Sequence, residues 1–192
     1  MNVLAAAHEL APRLAMGANE AERLARLPDE HVQALNAAGL PQIMQPIRWG
    51  GAGGSVEDFV NVCAALADGC VSTAWCNFVW GAHNHLIGLF PMAVQEAMWG
   101  SSPHRLTSAS IGPVGRADVH ADGLLIRGQW GFNSGCDHAE GLLLGAMSDQ
   151  GPWLCLVPKH AYEEVDNWQV AGLKGTGSKD VRIDEYFVPR EW

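Results

Sequence analysis

The chain has 192 residues, 48% of them hydrophobic and 17% charged, which is enough apolar material for one ordinary domain or two small ones and excludes a disordered tract. A formal charge of −9, with 12 Lys and Arg and no basic cluster, argues against a nucleic-acid partner, which needs a concentrated positive surface. No apolar run reaches the ~18 residues of a membrane span and no basic leader precedes an apolar stretch, so a cytoplasmic protein without a membrane partner is expected.

The first half reads as helices. Residues 4–14 and 20–27 are rich in Ala, Leu and Arg with few β-branched residues. Pro28 suits the first turn of a further helix running through Ala38, with Gly39 as its stop, and Val32 and Leu35 give it an apolar stripe. A Pro/Gly-rich connector covers residues 40–54. Ser55 with Asp58 is a variant capping box, opening a helix that carries Val56, Phe59, Val60, Cys63 and Leu66 on one side and ends at Gly69. Ser72 is the predicted cap of the next helix, which holds Trp75, Phe78, Val79, Leu86 and Ile87. That helix is apolar nearly all round, as a buried central helix should be. Pro91 opens a short helix that Gly100 closes.

After His104 the pattern changes to strands and tight turns. Residues 106–111 are strand-like, and residues 117–120 and 124–130 flank Ala121-Asp122-Gly123, a hairpin signal in which Gly123 is available for a positive φ. Residues 142–147 and 153–157 flank Asp149-Gln150-Gly151 in the same way, and residues 181–188 alternate loosely up to Pro189. The layout is α+β: a helical domain over residues 1–104 and an antiparallel β-domain over residues 105–192.

Common catalytic signatures fail. The glycines at 50–54 follow a loop and lack the G-x-G-x-x-G spacing, and Gly175-Thr176-Gly177-Ser178-Lys179 lacks the Gly-Lys-Ser/Thr order, so there is no recognisable NAD or ATP site. His83 and His85 diverge by about 200° on a helix and cannot share a metal ion, and no metal is expected. The five cysteines, an odd number with no C-x-x-C, read as reduced thiols and mostly as small core residues. Cys136 and His138 flank Asp137, which leaves a Cys–His nucleophile pair as a minor reading. Trp75 and Trp80 on one helix, and Trp130 beside Phe132, suit a flat heteroaromatic ligand as well as a core.

Three segments in register carry a resemblance. They are Ser72-Thr73-Ala74-Trp75 followed by Gly81-Ala82-His83-Asn84, then the G-x-W-x-F-x-S-G-x-x-H run from Gly128 to His138, and then Gly172-Leu173-Lys174-Gly175-Thr176-Gly177-Ser178 leading to Phe187-Val188-Pro189. Together they resemble the oxygenase components of two-component flavin-dependent monooxygenases, a branch of the acyl-CoA dehydrogenase superfamily.

The resemblance implies an N-terminal helical domain, a central antiparallel β-barrel domain, and a C-terminal four-helix bundle that is absent from these residues, leaving the β-domain incomplete. It implies reduced FMN or FAD, delivered by a separate NAD(P)H:flavin reductase, and molecular oxygen. A C4a-hydroperoxide would then hydroxylate a small phenol-like or indole-like substrate. Ser134 matches the hydroxyl that bonds flavin N5, Trp130 and Phe132 would wall the ring system, and Thr176 and Ser178 belong to the cofactor-binding stretch. His83 matches the residue that polarises or deprotonates the substrate hydroxyl, Ser108 or Ser110 would hold that hydroxyl, and Trp75 would pack on substrate or flavin. Full-length relatives imply a homotetramer, or else a second polypeptide that completes the chain. Two alternatives stay open: an acyl-CoA dehydrogenase, whose catalytic glutamate would come from the absent bundle, and a non-catalytic module of the same fold.

Overall fold

The computed structural model describes residues 2–190 and Trp192. Helix α1, Val3–Leu24, joins the two predicted helical stretches into one, running unbroken past Pro12. Asn2 caps it, its side chain accepting from the Leu4 and Ala5 N–H groups. Four more helices follow: α2 (Asp29–Ala37), α3 (Val56–Ala67), α4 (Val71–Ile87) and α5 (Met92–Trp99).

The capping box at Ser55 and Asp58 is formed, each residue's side chain bonding the other's backbone N–H. The cap of α4 is Cys70 rather than Ser72, which lies inside the first turn with its hydroxyl donating to Glu22 at 3.4 Å. Helix α4 is not buried all round. It buries Cys76, Trp80, His83 and Ile87 but leaves one stripe, Val71, Trp75 and Phe78, open at helical spacing. No helix among the described residues is long and apolar enough to cross a membrane.

Six strands follow: β1 (Thr107–His120), β2 (Gly123–Asn133), β3 (Gly141–Ser148), β4 (Gly151–Pro158), β5 (Glu163–Val165) and β6 (Lys179–Pro189). They form one sheet in the order β4-β3-β1-β2-β6-β5. Four pairings are antiparallel, as expected, but β1 and β3 run parallel, which corrects a purely antiparallel second part. The reason is topological. β2 finishes at the end of the sheet where β1 begins, so β3 enters beside Thr107 and runs alongside β1 in the same direction.

Gly123 also differs from expectation. It does not take a positive φ; a Cβ there would lie 2.2 Å from the Val188 carbonyl oxygen of β6, so close approach demands glycine. Gly151 does use the freedom, at φ 113°.

Apolar packing divides into a helical cluster around Leu14, Leu35, Phe59 and Trp80, a sheet cluster around Ile126, Trp130, Leu142 and Leu144, and a third cluster between them. In the third, Ile87, Val94 and Met98 meet Leu143 and Leu156. Successive residues of β3 point to opposite faces, so Leu142 and Leu144 enter one cluster and Leu143 the other. This explains why Leu142-Leu143-Leu144 is an uninterrupted apolar run in a sheet covered on both faces there.

Candidate active site

The end of β2 builds the centre of the site. Strand alternation alone would put Trp130 and Phe132 on one face. The register with β6 slips between Trp130 and Asn133, however, and Phe132 adopts φ 62°. A bulky residue in the left-handed region costs on the order of 1–3 kcal/mol and persists only where the surroundings impose it. Asn133 supplies part of that constraint, its amide donating to the Trp130 carbonyl at 2.6 Å and the Lys179 carbonyl at 3.1 Å.

The slip turns Phe132 outward, 78% exposed, its ring edge-on to Trp168 at 6.0 Å. Trp130 stays 0% exposed inside the sheet cluster, its indole N–H donating to the Gly145 carbonyl at 2.6 Å and its ring seated against Gly115. The expectation that Trp130 walls a cofactor is therefore corrected: it has no free face.

Ser134 follows at once, nearly buried, and enters a chain of hydroxyls. The Trp75 indole N–H donates to Ser134 Oγ at 3.0 Å. Ser134 Oγ lies 2.7 Å from Ser178 Oγ, Ser178 Oγ lies 2.6 Å from Thr176 Oγ1, and Thr176 Oγ1 donates to the Leu173 carbonyl at 2.9 Å. Thr176 and Ser178 are buried behind Ser134 with both hydroxyls engaged. Their side chains are thus occupied within the protein, next to Ser134 in the chain of bonds.

The loop that carries them is shaped by glycine. Gly177 takes φ 55°, and a Cβ on Gly175 would meet Ala21 of α1 at 2.8 Å and Ser72 of α4 at 3.1 Å. The Gly135 N–H donates to the Thr176 carbonyl at 2.8 Å, which locks this loop to the end of β2.

His83 sits on the buried side of α4, its Nδ1 2.9 Å from the Thr107 carbonyl oxygen. A carbonyl only accepts, so Nδ1 carries the proton and Nε2 presents a lone pair. Burial holds the His83 pKa below 6.5, which keeps the ring neutral. His85, two residues on, is exposed, as the helical angle requires.

Of the two candidate serines on β1, Ser108 is fully buried and donates to the Ser134 carbonyl at 2.7 Å, so its hydroxyl is unavailable to a ligand. This corrects Ser108 as a substrate contact. Ser110 shares its strand face, is half-buried and takes no part in those bonds.

The Cys136–His138 pair is structural. Burial pushes the Cys136 thiol up to about 12, and His138 Nε2 bonds the Leu27 carbonyl at 3.0 Å, tying the turn after β2 to the start of α2. Trp168, and the part that the Leu173 backbone plays, were not legible in the sequence. The Leu173 carbonyl accepts from Thr176 Oγ1, and at 3.4 Å from the Trp168 indole N–H, within a loop that shows no periodicity.

The resulting surface sets the Ser134 hydroxyl against the half-exposed Trp75, on which Phe78 stacks at 5.7 Å, with the exposed Phe132 two residues before Ser134 in the chain. A flat heteroaromatic ring bearing an N–H fits that chemistry.

Comparison with known proteins gives the same reading at family level. Residues 3–102 match the family described as acyl-CoA dehydrogenase, N-terminal domain. The chain is 39% identical over 194 aligned residues to the flavin-dependent monooxygenase oxygenase subunit HsaA of Mycobacterium tuberculosis, covering 98% of this chain and 49% of that protein. The crystal structure of that enzyme superposes with a TM-score of 0.95 at 38% identity, covering 99% of this chain and 51% of its own. The oxygenase component of p-hydroxyphenylacetate 3-hydroxylase from Acinetobacter baumannii is 34% identical, with 98% of this chain and 46% of that protein aligned. XiaF from Streptomyces, solved with FADH2 and glycerol, superposes with a TM-score of 0.92 at 28% identity, over 98% of this chain and 49% of that one. The chain thus spans about half the length of the curated relatives it matches.

Proposed function

The chain belongs to the acyl-CoA dehydrogenase N-terminal domain family, and from that premise we propose that it forms the flavin-facing part of an oxygenase component that hydroxylates a small phenol-like or indole-like substrate. One observation carries the reading: a nearly buried Ser134 hydroxyl bonds the indole N–H of the half-exposed Trp75, on a face of the fold that leaves this aromatic ring uncovered. The relatives named as oxygenase subunits or components support a separate NAD(P)H:flavin reductase as partner, and the FADH2 complex of XiaF supports reduced flavin as cofactor.

Reduced FMN or FAD, when bound, supplies the activation of molecular oxygen. The chain's own residues do the rest. Ser134 Oγ accepts from the N–H at flavin N5, and Trp75 and Phe132 cover the ring and exclude water. His83 Nε2 takes the proton of the substrate hydroxyl, which makes the ring carbon beside it more nucleophilic. Ser110 holds the same oxygen. The open stripe of Val71, Trp75 and Phe78 supports a cover from elsewhere, either a C-terminal bundle in a homotetramer or a completing polypeptide. A cytoplasmic location belongs to the same reading.

The test is to supply photoreduced FMN or FAD, oxygen and a panel of phenols and indoles to the protein, and to look for hydroxylated product by mass spectrometry. Product formed with reduced flavin and no nicotinamide supports the reading. Absence of product together with absence of reduced-flavin binding overturns it, and bleaching of bound flavin by an acyl-CoA would favour a dehydrogenase instead.

A further inference from the structure

The hydroxyl chain behind Ser134 has a direction, because both of its ends are chemically one-sided. Trp75 contributes an indole N–H, which only donates, to Ser134 Oγ at 3.0 Å. At the far end the Leu173 carbonyl only accepts, so the single hydrogen of Thr176 Oγ1 must point to it, at 2.9 Å. Thr176 can then bond Ser178 Oγ, at 2.6 Å, only by accepting the hydrogen of Ser178. Ser178, with its hydrogen committed, can bond Ser134, at 2.7 Å, only by accepting the hydrogen of Ser134. Four donors serve four bonds, and every proton is assigned.

We propose that Ser178 and Thr176 are positioning residues that fix the polarity of the Ser134 hydroxyl, so that Ser134 faces the flavin solely as an acceptor and selects its reduced form. The proposal rests on the reading that this surface binds flavin. Ser134 Oγ has two lone pairs; Trp75 takes one and its hydrogen is held by Ser178, which leaves one lone pair unused within the protein. Reduced flavin offers an N–H at N5 and is accepted. Oxidised flavin offers a bare nitrogen there, an acceptor meeting an acceptor, and is disfavoured.

The anchor of this polarity is the Leu173 carbonyl, two hydroxyls removed from Ser134 along the chain of bonds. Leu173 holds a left-handed conformation at φ 55°, and its carbonyl also receives the Thr176 N–H at 3.1 Å and the Trp168 indole N–H at 3.4 Å. That carbonyl cannot rotate to release Thr176 without breaking the turn over residues 174–176.

The experiment is an anaerobic titration of the protein, expressed from its whole coding sequence, with reduced and with oxidised flavin, together with the midpoint potential of the bound flavin. The wild-type chain is expected to bind the reduced form more tightly. Ser178→Ala frees the Ser134 hydrogen to turn toward N5, and Thr176→Val frees the Ser178 hydrogen to turn toward Ser134. Each is expected to lower the preference for reduced over oxidised flavin roughly tenfold, the upper range for one hydrogen bond. By linkage the bound potential falls by about 30 mV for the two-electron couple. Thr176→Ser and Ser178→Thr keep the hydroxyls and are expected to keep the preference.

Should Ser178→Ala not fold, Thr176→Val carries the test. A preference unchanged in the folded variants, or both redox forms weakened equally, overturns the proposed polarity while leaving the flavin reading intact. A wild-type protein that binds neither form overturns both.

Discussion

The indole N–H of Trp75 and the hydroxyl of Ser134 meet at 3.0 Å although they stand 59 positions apart, so one face of α4 and the end of β2 form a single surface. Trp75 stays 44% exposed beside a nearly buried serine. The polar contact is therefore at the rim of the protein, where a ligand can use it. Ser134→Ala leaves that N–H without its acceptor and removes the open lone pair. It is expected to weaken reduced-flavin binding about tenfold, read by anaerobic titration, with Trp75→Phe showing a smaller loss.

His83 titration should govern the hydroxylation step. Burial lowers its pKa below 6.5, so the neutral, proton-accepting form persists to lower pH than in an ordinary histidine. The ratio of product to oxygen consumed is expected to be flat from pH 8 down past 6.5, then to fall as the ring protonates. His83→Asn is expected to lower product formation by roughly 10²–10⁴ while reduced-flavin binding survives. An unchanged pH profile in that variant would remove His83 from the chemistry.

The two β1 serines should separate cleanly. Ser108→Ala leaves the Ser134 carbonyl without its 2.7 Å donor and is expected to cost about 1–3 kcal/mol of stability by denaturant unfolding. Ser110→Ala is expected to leave stability within about 0.5 kcal/mol and to raise KM for the aromatic substrate. Reversal of the two effects would return Ser108 to the substrate site.

Gly115 and Trp130 are a packing pair. A Cβ at position 115 would lie 2.0 Å from Trp130 Cζ2. Gly115→Ala is therefore expected to destabilise the protein by about 1–3 kcal/mol, seen as a drop in Tm. The paired variant Gly115→Ala with Trp130→Phe should recover part of that loss, since the smaller ring vacates the contact.

Acid should destabilise the fold through its buried histidines. His31, His83 and His138 all have pKa values held below 6.5, chiefly by burial. Above 6.5 these rings are neutral whether folded or not, and contribute nothing to the pH dependence. Between 6.5 and each lowered value only the unfolded chain binds the proton, so stability falls as pH drops through that window. Thermal unfolding from pH 8 to 5 is expected to show a plateau and then a decline. The decline should be smaller in His31→Asn, compared with that variant's own plateau.

Much of the framework was legible in the residues. The Ser55–Asp58 capping box, the helix starts at Pro28 and Pro91 and the hairpin around Asp122 follow from interactions within a few positions, which local chemistry dictates. The motif around Ser134 was legible as a pattern of residue types. The three-residue strand β5 was not, because so short a stretch has no periodicity to read.

The sequence by itself determined the change from helices to strands, the Ser55–Asp58 capping box, and a short list of candidate residues for a flavin and an aromatic substrate. These depend on side-chain type and near neighbours. The tertiary structure decided which members of that list are buried and already bonded and which keep an open face. A one-residue slip at Phe132 turned that ring outward while Trp130 stayed inside, the approach of Ser134 engaged Ser108 and left Ser110, and the return of the 173–178 loop placed Thr176 and Ser178 behind Ser134. Those outcomes turn on bonds between residues 26, 44 and 59 positions apart, and only packing brings such distant groups within reach of one another.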